Sequence, residues 1–386
     1  MAGGARRMDG TVPGEGETRR IRAAVLWEVH RLLAVEEAEL AAPREGEVEV
    51  RVEAAGVCGS DIHQLLGEYR LPLPCVPGHE GAGVVARVGP GVQGVRPGDH
   101  VVLLWRSACG HCSWCLDGRP ALCENAVAIR QRGVMADGES RIRVGGRPVH
   151  HFIGVSCWAE YCVLPAAAVV PIAADIPLEV AALVGCGVVT GVGAAWNAAE
   201  VRPWQSVAVF GCGGVGLNVI QGAALSGAHP VVAVDARPEK AELARRFGAT
   251  HFVAAGAGDA VRAVSDLTGG GADVAFEVVG IPALQETAVA ATRRGGTTVL
   301  VGVAPTGSTV HLDPEVVVQQ DRTIRGCIYG SGRPDRDIPR LLRLFAAGRL
   351  KLGELMSRRY ALGEINEAVA AMRAGDLARV VIDTQR

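Results

Sequence analysis

The sequence predicts an α/β chain in which a doubly wound parallel-sheet domain sits beside a β-rich lobe. The first observation is an alternation of short apolar runs with helical stretches over residues 206–328. "SVAVF" (206–210), "PVVAVD" (230–235), "HFVAA" (251–255), "ADVAFEVV" (272–279), "TTVLVGV" (297–303) and "TIRGCI" (323–328) read as strands. Among the helices, "PEKAELARRF" (238–247) has Pro at its start and Gly248 past its end. Such repetition gives a parallel sheet covered on both faces. The second observation is a change of texture upstream. "GEVEVRVEAAGVC", "EGAGVVARVG" and "GDHVVLL" are β-rich runs punctuated by Gly and Pro, the pattern of an antiparallel or barrel-like lobe. The third is the tail after residue 330, two helical segments and a last strand "RVVIDT", expected to return to the first lobe.

Bulk properties narrow the function. The 386 residues suffice for two or three domains, and 49% hydrophobic with 21% charged residues describes a folded chain. A net charge of −2 with no basic block argues against a nucleic-acid partner. Residues 1–20, MAGGARRMDGTVPGEGETRR, are small, polar and charged, and read as a disordered leader rather than a signal peptide. No run of about 18 uninterrupted apolar residues occurs, so no membrane span and a cytoplasmic setting are expected.

The cysteines point to metal. Eleven thiols in such a chain read as ligands or small core residues before disulfides. Cys109, Cys112, Cys115 and Cys123 fall within "SACGHCSWCLDGRPALC" (107–123). Four thiolates close a tetrahedral structural zinc site with no open position. The CxxCxxC start makes cluster iron the competing metal.

"VAVFGCGGVGLNVIQGAALSGAHPVVAVD" carries Gly211, Gly213 and Gly216 in a GxGxxG pattern, with Gly214 and Val215 between. With 51 glycines in the chain the pattern alone is weak, but here it follows an expected strand, opens an apolar helix and leads to a strand ending in Asp235. In that setting Gly211 makes the tight turn, Gly213 admits the pyrophosphate, and Gly216 lets helix and strand pack. The pyrophosphate rests on the helix N-terminus. Asp235 would accept from the adenosine ribose and repel a 2′-phosphate, favouring NAD over NADP, with Arg237 two residues on as a moderating charge.

Three separated segments, "GVCGSDIH" (56–63), "GHE" (78–80) and "GCGVVTG" (185–191), each set a potential ligand among glycines. Taken with the cysteine knot and the dinucleotide fingerprint, nearly the whole chain after the leader resembles the zinc-dependent medium-chain alcohol dehydrogenases. The longer-loop branch, liver-type and actinobacterial-type, fits best, through "GESRIRVGGRPVHHFIGVSCWAEY" (138–161).

The resemblance implies a GroES-like catalytic domain (21–187 and 329–386), an NAD-binding Rossmann domain (188–328), two zinc ions per chain and a homodimer. It makes Cys58, His79 and Cys186 the catalytic zinc ligands, with one position open, and Glu80 a nearby carboxylate. Asp61 would orient the ligand imidazole, and Ser60 with His63 would relay protons. Thr190, Val215 and Val303 would flank the nicotinamide, Asp235 and Lys240 the ribose, and Arg379 the pyrophosphate. Tyr69, Trp105, Phe152 and Ile328 would line a narrow, apolar substrate slot suited to a primary or allylic/benzylic alcohol or its aldehyde. Two departures stand out. Gly59 replaces a pyrophosphate-binding Arg or His of many relatives. Tyr69 and Val127 replace the acidic residue and arginine of the glutathione-dependent formaldehyde dehydrogenases, which argues against a glutathione adduct. A reductase of an iminium or conjugated double bond is the alternative on this scaffold, but such relatives often lose a ligand or the relay, and here both are complete.

Overall fold

The computed structural model describes residues 16–254, 257–375 and 377–386. Residues 1–15 of the expected leader lie outside them. The first strand, Arg19–Val25, begins two residues inside that leader, because alternate residues from Ile21 onward are buried against the neighbouring strand.

All six expected strands of the nucleotide domain form one sheet. Its order is His251–Ala254, Val231–Asp235, Val207–Phe210, Ala272–Glu277, Thr292–Leu300, Thr323–Gly326, and every neighbouring pair is parallel. Val207–Phe210 is central and fully buried, as expected of a strand covered on both faces. The strand expected over 297–303 extends back to Thr292 across a shift in register.

The β-rich lobe is a predominantly antiparallel sheet of Val169–Pro171, His100–Leu103, Glu80–Val88, Glu47–Val57, Arg379–Asp383 and Met356–Ala361, with Tyr161–Pro165 also on Glu47–Val57. A five-stranded sheet beginning at Arg19 packs beside it. The tail returns as expected: Arg379–Asp383 pairs antiparallel with Glu47–Val57. Several buried charges inside this lobe are paired, as with Arg141 on Glu47 at 2.7 Å.

One helical run, Leu178–Ala198, crosses the expected lobe boundary at 187/188. It is long and apolar enough to span a membrane, but 83% of its most apolar window is buried inside the fold. It is therefore a core helix joining the two lobes.

Candidate active site

The short helix Gly59–Leu65 starts at Cys58, whose backbone is extended as an N-cap residue. Ser60 and His63, three residues apart, share one face of it and line a cavity of about 900 Å³. His79 precedes the strand Glu80–Val88. Cys186 sits in a π-helical turn, Val184–Val188, within the long helix; such turns are frequent at functional sites. The hydroxyl of Tyr329 donates to the Gly185 carbonyl in that turn at 2.5 Å.

These elements bring the donor atoms of Cys58, His79, Glu80 and Cys186 within 4.8 Å of one another. His79 Nε2 lies 3.4 Å from Cys186 Sγ. Its Nδ1 faces Asp61 Oδ1 at 3.0 Å, which fixes the ring with Nε2 inward. Asp61, fully buried, also accepts from the backbone N–H groups of Cys58 (2.9 Å) and Gly78 (3.1 Å), so one carboxylate ties the start of its own helix to the Gly78–His79 segment. Hydrogen bonding from Cys186 holds the Cys58 thiol well below its ordinary pKa, helped by His79. Burial raises Glu80 to about 7 against the pull of Arg379. Both Glu80 carboxylate oxygens lack a hydrogen-bond partner, and the nearest cation is Arg379 Nε at 3.6 Å. Two thiols and an imidazole converging beside an open cavity fit zinc with a free coordination position.

The knot residues Cys109, Cys112, Cys115 and Cys123 form the second such group. Backbone N–H groups of Cys109 and Cys112 point at the sulfurs of Cys123 (3.3 Å) and Cys109 (3.4 Å). The N–H of Glu124, first among several donors, lowers the Cys112 thiol to about 6. Four sulfurs within ligand distance fit a closed zinc site.

The nucleotide cradle lies on the far wall of the same cavity, where Gly211, Gly213, Gly214, Val215 and Gly216 contribute with Thr190 and Val303. Gly211 has φ +104°, and a Cβ on Gly216 would stand 1.8 Å from the Gly211 carbonyl oxygen. Only glycine lets this helix leave its strand so tightly. Asp235 is anchored by Cys212 N–H (2.7 Å), Arg237 N–H (3.0 Å) and Lys240 Nζ (3.0 Å). Arg379 is buried beneath the turn, its Nη2 without a hydrogen-bond partner, an anchor that fits a pyrophosphate.

Tyr69, Trp105 and Ile328 reach the cavity as expected, but Phe152 does not. The turn Phe152–Gly154 has Ile153 at φ +43°, which sends Phe152 into the core with its ring 5.8 Å from His79 and leaves Ile153 on the cavity wall. Nor is the slot purely apolar, since Arg106 and Arg130 line it. Glu68, which the sequence reading passed over, pairs with His63 Nδ1. Gly67, at φ +70°, turns the chain back after the helix to bring it there, and was its only local signal.

A Rossmann sheet with its glycine turn, a Cys₂His cage and a four-cysteine knot together define a zinc- and nicotinamide-dependent dehydrogenase. Residues 44–174 match the family model "Alcohol dehydrogenase GroES-like domain" and residues 214–347 match "Zinc-binding dehydrogenase". The chain belongs to the zinc-dependent medium-chain alcohol dehydrogenases. It is 42% identical to an NDMA-dependent alcohol dehydrogenase of Amycolatopsis methanolica over 94% of this chain and 98% of that one. It is 37% identical to an S-(hydroxymethyl)glutathione dehydrogenase of Paracoccus denitrificans, over 94% and 99%. The crystal structure of benzyl alcohol dehydrogenase from Acinetobacter calcoaceticus superposes with a TM-score of 0.90 at 33% identity, covering 95% of this chain and 99% of that one. The activity of the chain is zinc-dependent interconversion of alcohol and aldehyde.

Proposed function

We propose that the enzyme acts on a primary or allylic/benzylic alcohol, or its aldehyde, with NAD in preference to NADP, at the cage of Cys58, His79 and Cys186. One observation carries the reading: the cage opens into the same cavity as the glycine turn and Asp235. When bound, zinc supplies Lewis acidity to the substrate oxygen and NAD accepts the hydride.

The chain's own residues supply the rest. Asp61 keeps the His79 ring in ligand orientation. Ser60, a hydroxyl that accepts and donates at once, takes the substrate's hydroxyl proton and passes it toward His63. Because His63 Nδ1 faces Glu68, its Nε2 is the nitrogen left to receive that proton. Tyr69, Trp105 and Ile328 exclude water around the reacting carbon. Asp235 holds the adenosine ribose, Arg379 the pyrophosphate, and the knot keeps its lobe in shape.

In this reading residues 21–187 and 329–386 form the catalytic unit and 188–328 the nucleotide unit. Two copies pair through the sheet edge at Thr323–Gly326, which has a neighbour on one side only among the described residues. Eleven cysteines outside any disulfide suit a cytoplasmic enzyme.

Zinc analysis with a panel of alcohols and aldehydes, followed by nicotinamide absorbance, tests the proposal. Two zinc per chain and turnover abolished by Cys186→Ala without loss of fold are expected. Undiminished turnover in the metal-free protein would refute it.

A further inference from the structure

Buried and half-buried arginines in this chain are matched by carboxylates almost everywhere. Arg19 and Arg87 share Glu49, Arg141 holds Glu47 and Asp137, and Arg379 faces Glu80. Two arginines on the substrate side of the active-site cavity break this pattern. Arg106 donates Nη1 to the Ala121 carbonyl at 3.0 Å, yet its Nε is buried with no partner. Its guanidinium carbon lies 5.1 Å from the Trp105 ring centre. Arg130, on the helix Glu124–Arg132, lies 5.8 Å from the Tyr69 ring centre and makes no ion pair with a described carboxylate. Burial, with repulsion from Arg130 second, depresses the Arg106 pKa to about 10.

Two cations that repel across a part-buried cavity, one with an unused donor and only the Cys123 sulfur of the knot and the Tyr329 hydroxyl to offset its charge, have no carboxylate partner among the described residues. Their place says which anion suits them. Trp105 neighbours both Arg106 and the metal cage, its ring 5.1 Å from the guanidinium carbon and 6.3 Å from the ring of His79. A substrate oxygen at the cage would thus leave the far end of a substrate about one aromatic ring long facing the arginines. The nucleotide phosphates have their own arginine, Arg379, on another element.

We propose that Arg106 and Arg130 form a carboxylate-binding subsite, so that the preferred alcohol or aldehyde carries a carboxylate remote from its reacting carbon. The inference rests on the alcohol–aldehyde reading above. Positive charge absent at Val127 is supplied here from a different loop and from one helical turn further on.

The test compares reduction of 4-carboxybenzaldehyde and 4-methylbenzaldehyde by the zinc-loaded enzyme with NADH. The wild type is expected to prefer the carboxylate in kcat/KM, and added salt should erode that preference. Arg106→Gln and Arg130→Gln should each raise KM for the carboxylate roughly ten- to a hundredfold with kcat little changed, the range of a lost charged hydrogen bond. The neutral aldehyde should be spared, and Arg106→Lys should recover part of the loss. Arg106 also braces the knot, so Arg130→Gln carries the test independently if the first variant folds poorly. Equal turnover of the two aldehydes by the wild type, or equal damage to both in Arg130→Gln, overturns the subsite alone. No turnover of any aldehyde overturns the reading beneath it, and the subsite with it.

Discussion

Replacing Asp61 by Asn probes how the metal cage is held. The carboxylate accepts three N–H groups: Cys58 on Oδ2, and Gly78 and His79 Nδ1 on Oδ1. Asparagine has the same shape but one acceptor. Its better orientation keeps the two bonds at Oδ1 and turns an NH₂ against the Cys58 N–H. One charged hydrogen bond, worth about 1.5–3 kcal/mol, is then replaced by a donor–donor contact beside a ligand. The loss of anionic character also weakens the imidazole as a ligand, since partners of metal-bound histidine typically matter by about 10–100-fold in affinity. Asp61→Asn should therefore weaken zinc at the cage by about 10–100-fold while the knot keeps its ion. Dialysis against chelators of graded strength, followed by zinc analysis, should show a step from two ions per chain to one that the wild type does not show. Near-UV circular dichroism should be unchanged. Two ions retained at wild-type affinity, with kcat/KM intact, would show that Asp61 does not position the cage.

Gly216→Ala should cost at least about 3 kcal/mol by the overpacking of a Cβ at 1.8 Å from a carbonyl, read as a fall in Tm with loss of NADH fluorescence enhancement. Cys112→Ser should leave one zinc per chain and lower Tm, whereas Cys186→Ser should leave one zinc and a near-native Tm but no turnover. His151 is buried, and burial with Arg141 second pushes its pKa from 6.5 to about 3. Its neutral form is thus favoured in the fold, so this stability is present above pH 6.5 and is lost as pH falls from there toward 3. His151→Gln should flatten that fall by about 3 kcal/mol at pH 4.5 relative to wild type, measured by urea unfolding across pH. Glu68→Ala should lower kcat about tenfold by freeing the His63 ring, and the double variant with His63→Ala should be no worse than His63→Ala alone.

Legibility in the sequence followed the range of the physics. The nucleotide sheet was readable because its strands are buried on both faces, so each is an apolar run ended by a turn, and because only glycine closes the turn at Gly211–Gly216. The two metal groups were readable because thiols and imidazole are scarce and chemically specific. What escaped depends on direction. Phe152 and Ile153 are both apolar and adjacent, and only the backbone at Ile153, φ +43°, decides which of them meets the substrate. Arg106 sits in a loop before the knot and Arg130 in a helix after it, and spacing does not say that both point into one cavity. Glu68 meets His63 because a glycine reverses the chain, a local event without periodicity.

The helix Leu178–Ala198 explains why the catalytic cage depends on both lobes. Cys186 is contributed from its π turn, and Thr190, one turn on, lines the nucleotide side of the cavity. The Gly185 carbonyl, one residue before Cys186 in the same turn, is held by Tyr329, which follows the last strand of the nucleotide sheet. A buried hydroxyl next to the nucleotide sheet and a continuous helix thus tie a metal ligand to the nucleotide lobe. Removing that hydroxyl by Tyr329→Phe leaves the carbonyl in a buried site without its donor, at a cost of about 1–3 kcal/mol. Because the strain falls on the turn that carries Cys186, zinc at the cage should become easier to strip while zinc at the knot does not change. If the variant loses only global stability, with both ions held as in the wild type, the turn and the ligand are not coupled in this way.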